Sequence, residues 1–121
     1  MNIEEFRDFC LSLPGSTEET PFGPDTLVFK VGGKIFALTD LRTFESFNVK
    51  CDPELAVELR ERYDYVRPGF HQNKKHWNTI VVGAGATVAQ QREWLTHSYQ
   101  LIVGALPKAL RAELAEAVKD L

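Results

Sequence analysis

Read for alternation and periodicity, the chain divides into short helices and strands separated by strong turn signals. Phe6, Phe9 and Cys10 share one face of a helix predicted over residues 3–11, and Asn2 with Glu5 has capping-box spacing. Pro14-Gly15-Ser16 ends it, and the Gly-, Pro-, Ser- and Thr-rich run 15–26 is expected to be loop. Strands over 26–31 and 34–39 flank Gly32-Gly33, a pair that supplies the positive φ of a tight hairpin turn. A symmetrical register about that turn sets Phe29 opposite Phe36 and Leu27 opposite Leu38. A third strand, 46–50, follows a turn at 40–43.

Asp52-Pro53 joins a capping carboxylate to a proline suited to a first helical turn. The helix it starts is expected to reach residue 63, with Leu55, Leu59 and Tyr63 inward and Glu54, Glu58, Arg60, Glu61 and Arg62 on a solvated face. A second hairpin is predicted from 65–70 and 76–82, its tip at 72–75, with Pro68 marking an edge strand. After Gly83-Ala84-Gly85, Thr87 and Gln90 cap a helix expected to bury Val88, Leu95, Tyr99, Ile102 and Leu106. Gly104 and Pro107 separate it from a last helix, 108–120, with Leu110, Leu114, Ala117 and Val118 inward. The order is α-β-β-β-α-β-β-α-α. Short turns between successive strands make this a two-layer α+β fold, an antiparallel sheet with helices on one face.

Composition fits a single domain. The 121 residues are 44% hydrophobic and 26% charged, enough for one core without disulfides or metals. The net charge of −3 excludes a globally basic nucleic-acid binder, so any phosphate contact must come from local patches. The charge is uneven: Glu4, Glu5, Asp8, Glu18 and Glu19 face only Arg7 before residue 21, whereas 67–76 holds Arg67, His71, Lys74, Lys75 and His76 and no acid. Cys10 and Cys51 form no CxxC and are expected to be inert thiols of a cytoplasmic protein. No leader-like start or membrane-length apolar run is seen, so no membrane partner is expected.

Most catalytic chemistries find little support. His71, His76, Cys51 and His97 lack the paired spacing of zinc ligands, and neither a GxSxG nor a P-loop frame occurs. No cofactor is implied. Gly83–Thr87 precedes a helix and reads as a simple connection. The segment 67–77 stands apart because fixed charges sit beside flat rings. Lys and Arg neutralise phosphates, Phe70, His71, His76 and Trp77 offer stacking faces, and Gln72 and Asn73 offer groups for base edges. The same residues also read as a wet hairpin tip with Phe70 and Trp77 in the core, and the sequence leaves that choice open.

Several stretches resemble the YjbR/MmcQ family in matching order. They are Pro21-Phe22-Gly23-Pro24-Asp25, Val28-Phe29-Lys30-Val31, Gly33-Lys34-Ile35-Phe36-Ala37 and Lys50-Cys51-Asp52-Pro53. The run Val66-Arg67-Pro68-Gly69-Phe70-His71-Gln72-Asn73-Lys74-Lys75-His76-Trp77-Asn78-Thr79 and the Ser98-Tyr99 pair complete them. The resemblance implies a fold of the frataxin or secretion-chaperone kind and a double-wing DNA-binding motif, the wings being 26–39 and 65–82. Its wing tips put forward Lys30, Lys34, Lys74 and Lys75 for double-stranded DNA, and the residue types of 67–77 add Arg67, His71, Asn73 and His76. A protein-binding adaptor, and an enzyme using His71, His76 or Tyr63 as acid–base groups, are the alternatives.

Overall fold

The computed structural model describes residues 1–70 and 72–119, with side chains at 117–119 outside the description. Ten elements follow one another: α1 (Ile3–Ser12), β1 (Ser16–Glu19), β2 (Thr26–Val31), β3 (Lys34–Asp40), β4 (Ser46–Lys50), α2 (Pro53–Arg62), β5 (Val66–Pro68), β6 (Trp77–Val81), α3 (Val88–Gly104) and α4 (Lys108–Lys119). The strands form one antiparallel six-stranded sheet in the order β1-β2-β3-β4-β6-β5. The architecture is two-layer α+β, with one more strand than the sequence pattern predicts. The extra strand, β1, lies where a loop is expected. Its residues Ser-Thr-Glu-Glu carry no apolar alternation, because Glu18 on the helix side meets Arg7 of α1 rather than a hydrophobic neighbour.

Local chemistry sets the helix starts as expected. Asn2 and Glu5 form a reciprocal capping box, as do Thr87 and Gln90, and Asp52 caps α2 ahead of Pro53. Leu27, Phe29, Val31, Ala37, Phe47, Val49, Val66 and Ile80 point to the helices and join Phe6, Cys10, Ala56, Leu59, Trp94, Leu95, Tyr99, Ile102 and Leu106 in one core. Phe6 of α1 packs edge-on to Phe29 at 5.5 Å, and Tyr99 of α3 edge-on to Phe36 at 5.6 Å. Burial of these rings and aliphatics is the main force holding the layers together, at roughly 25 cal/mol per Å² of apolar surface.

The first hairpin turns at Gly32-Gly33, with φ of 58° and 80°, and Val31 pairs Lys34 as the turn demands. Its register then departs from symmetry. Lys30 pairs Ile35 but Phe29 pairs Ala37 and Leu27 pairs Thr39, so Phe36 is the extra residue of a β-bulge. Phe36 therefore joins Ala37 on the helix side. The ladder gap is filled from α3: the buried Ser98 hydroxyl donates to the Phe36 carbonyl and accepts from the Lys50 amide at 2.8 Å.

Four further expectations change. Val88 and Leu110 are exposed rather than inward. Val88 is the first residue of α3, and α4 touches the body through Leu114, which lies against Gly15. The second hairpin is shorter than predicted, Val66–Pro68 with Trp77–Val81, because Gly69, Phe70 and residues 72–76 leave the ladder for other partners. Arg60 is half-buried rather than part of a solvated face. It donates at 2.7 Å to Asn78, which sits among core residues, and also to the Lys74 carbonyl. Ala117, Val118 and Asp120 fall outside what is described for side chains or backbone.

Candidate functional site

The ladder register decides where the two hairpin tips lie. Val31–Lys34 closes the first hairpin, Lys50 pairs Trp77, and Pro68 pairs Asn78. Gly32-Gly33, the end of β4 and the connection 69–76 are therefore at the same end of the sheet. Three strand spacings separate the hairpin centres, about 14 Å. Lys34, Lys50, Lys74 and Lys75 gather at this end, with Asp52 and Glu54 as the neighbouring acids. The opposite ends of the strands and their turns carry Glu19, Asp25, Asp40, Glu45 and Asp64 against Arg42. Charge is thus segregated along the strand direction in a chain of net charge −3.

The described residues of this connection, Gly69, Phe70 and 72–76, are held from several sides. Gly69 donates its amide to the Trp77 carbonyl at 2.9 Å, and a Cβ there would lie 2.7 Å from the Trp77 Cβ, so the two backbones approach as only glycine permits. The Phe70 amide donates to Thr79 Oγ1 at 2.9 Å and its carbonyl accepts from Asn48 Nδ2 at 2.8 Å. Asn48 also donates to Gln72 at 2.9 Å and accepts from Thr79 at 2.6 Å. Asn48 and Thr79 pair with each other and alternate with the helix-facing Phe47, Val49 and Ile80, so this buried network lies on the face of the sheet away from the helices and pins the connection to it. From the other side, Arg60 holds the Lys74 carbonyl, and the Cys51 amide donates to the His76 carbonyl at 2.8 Å.

The residues singled out in the sequence occupy distinct places. Lys34 and Lys75 are exposed at the common end, without an ion pair among the described residues. Lys74 is there too, its ammonium donating to the Gly69 carbonyl at 3.0 Å. Lys30 lies on the shaft of the first hairpin, on the helix-free face, and is paired with Glu19 at 2.8 Å. Arg67 is exposed on edge strand β5, opposite Thr79. Asn73 shapes the turn: its side-chain oxygen accepts from the Lys75 amide, and its carbonyl accepts from the His76 and Trp77 amides. His76 is half-buried beside it, and His71 lies outside the described residues. Trp77 is half-buried and Phe70 is 66% exposed, so of the two rings left open between core and contact, Phe70 faces solvent. Lys50 was not among the sequence candidates; its only signal was its place at the end of a predicted strand, immediately before Cys51-Asp52-Pro53.

Both thiols are buried. Burial pushes Cys10 well above the ordinary thiol range and Cys51 to about 11. Among the described residues no group of three or more His, Cys, Asp or Glu side chains is arranged to hold a metal ion, and no helix is long and apolar enough to cross a membrane.

Comparison with known proteins covers almost the whole chain. The family model YjbR matches residues 11–101. The protein YbdF of Escherichia coli O157:H7 is 38% identical over 106 residues, 87% of each chain. The protein YjbR of E. coli K12 is 30% identical over 117 residues, covering 96% of this chain and 99% of its own. The crystal structure of the Deinococcus radiodurans protein DR2400 superimposes with a TM-score of 0.88 at 37% identity, over 94% of this chain and 88% of that one. A Pseudomonas syringae crystal structure superimposes with a TM-score of 0.73 at 25% identity, over 84% of this chain and 99% of that one. On a family model that spans most of its length and relatives aligned nearly end to end, the chain belongs to the YjbR family.

Proposed function

We propose that the chain binds duplex DNA through the end of the sheet that carries both hairpin tips. The observation that carries this reading is the gathering of Lys34, Lys50, Lys74 and Lys75 at one end of the strands while the acids of the turns lie at the other. Separation by about 14 Å matches the roughly 12 Å width of the B-DNA major groove, so the two tips suit phosphates on either side of it. The backbone of Phe70 and Lys74 is already held by Asn48, Thr79 and Arg60, so little ordering is needed when Lys74 and Lys75 meet a ligand. Lys34, Lys74 and Lys75 make the phosphate contacts and Lys50 adds to their field, while Arg67 and His76 flank the second wing. Lys30, held by Glu19, steadies the first wing, and Asn73 shapes the second. A fold of the frataxin or secretion-chaperone kind, with its hairpins serving as wings, belongs to the same reading.

Fluorescence anisotropy of a labelled duplex between 50 and 200 mM salt tests it. Three phosphate contacts give a log–log slope of about −3. Replacing Lys74 and Lys75 by Ala is expected to flatten the slope by about 2. Binding that ignores salt, or no binding at the lowest salt, refutes the proposal; an unchanged slope in the double variant refutes the role of this tip.

A further inference from the structure

The helix-free face of the sheet carries a groove of about 650 Å³, at the size of small-molecule sites. Its rim includes Phe22, from the β1–β2 connection, and Phe70, from the β5–β6 connection. Phe22 is 69% and Phe70 66% exposed, although smaller apolar side chains elsewhere are buried in the core. Ile35 and Leu38 add apolar lining, and Asp40 and Glu45 put carboxylates at the end remote from the lysine cluster. The Phe70 backbone is fixed by Asn48 and Thr79 through its amide and its carbonyl, so this ring is presented over the groove by buried polar bonds. Asp40 is also fixed, its carboxylate accepting from the Arg42 and Thr43 amides.

We infer that this groove is a binding site for a small organic molecule with a flat apolar body and a cationic end. The rings and aliphatics suit the flat body, through stacking and burial of apolar surface. The carboxylates select the charge of the end group. A peptide strand is disfavoured at this place. The groove lies on a sheet face, where the backbone donors and acceptors are engaged in the ladders, so strand addition has no free edge to use. The inference is independent of the DNA reading, because the lysines of the hairpin tips take no part in it.

Three probes that share one ring system and differ in the charge of the end group test it: tryptamine, tryptophol and indole-3-acetate. Each is titrated into the isotope-labelled protein at low salt, and amide chemical shifts are followed. Tryptamine is expected to shift the amides of Leu38, Asn48 and Phe70, and to bind about tenfold more tightly than indole-3-acetate, with tryptophol between them. Replacing both exposed rings, F22A with F70A, is expected to abolish these shifts. D40N with E45Q is expected to bring the three probes to similar affinity while binding persists, since Asn at position 40 keeps the turn bonds. Equal or stronger binding of indole-3-acetate overturns the inference. So do shifts centred on other residues, or no shifts at millimolar tryptamine in a protein whose spectrum shows it folded.

Discussion

Replacing Ser98 by Ala removes one oxygen atom and opens almost no cavity, yet the bulge in β3 makes it a demanding change. The Ser98 hydroxyl bridges the Phe36 carbonyl and the Lys50 amide where the ladder between β3 and β4 is interrupted, and Ser98 is fully buried. In the Ala variant both backbone groups lose this partner. A buried polar group left unsatisfied costs about 1–3 kcal/mol, and Lys50 is only half-buried, so the pair together is expected to cost about 2–4 kcal/mol. An unfolding entropy of about 2.1 cal/mol/K per residue over 121 residues makes each kcal/mol worth about 4 °C, so Tm should fall by about 8–16 °C. Urea denaturation followed by circular dichroism and by tryptophan fluorescence measures the loss, and amide exchange at Lys50 reports it locally. A loss under about 0.5 kcal/mol with the Lys50 amide still protected would show that the strands close the gap without the hydroxyl, and the account of the bulge would be wrong.

Other outcomes follow from single contacts. Asn48→Ala strips Thr79 of an acceptor and releases Phe70 and Gln72, which should cost about 2–3 kcal/mol and raise the exchange rate of the Phe70 amide; unchanged exchange there would contradict the pinning role. Gly69→Ala should cost about 1–3 kcal/mol in a thermal melt because its Cβ would press on Trp77, and a neutral result would mean that the connection shifts freely. Hydrogen bonds from Arg7, at 3.0 Å to one oxygen, lower the Glu18 carboxyl below its ordinary 4.5. Because the folded value is the lower one, this stabilisation is complete above the unfolded value and is lost as pH falls through the folded value. With Arg7 44% exposed it is worth at most about 1 kcal/mol, and Glu18→Gln should flatten the acid limb of the stability curve by that amount; an identical limb would rule the pair out. Neither Cys10 nor Cys51 should react with a thiol reagent at pH 8 until the protein is unfolded, as a stoichiometric assay would show.

What could be read from the sequence was what local chemistry decides. Asn2, Asp52 and Thr87 cap helices because their side chains reach amides three residues away, and Gly32-Gly33 turns because both adopt positive φ. What could not be read depends on partners distant along the chain. Ser16–Glu19 pairs with β2 although nothing apolar marks it, and the bulge at Phe36 shows itself only once Ser98 is beside it. Arg60 looked like one charge among several until Asn78 and the Lys74 carbonyl met it. At the candidate interface, Lys34, Lys74 and Lys75 were evident from their tips, but Lys50 depended on the sheet order. The groove lay beyond sequence reasoning, because Phe22 and Phe70 line one groove only through the fold.

The separation of cations from acids along the strands gives the molecule an electrical polarity as well as a net charge. The strands are about 15–20 Å long, twice the Debye length of about 8 Å at physiological ionic strength and well below the 30 Å at 10 mM. In dilute salt a polyanion would sense the whole chain and its −3, and be repelled. Near physiological salt it would sense only the end nearest to it. Encounter rates with a polyanion should therefore rise as salt is first added to a 10 mM buffer and decline only above about 50 mM, where the screening length falls below the length of the strands, whereas a uniformly basic protein would show a steady decline throughout.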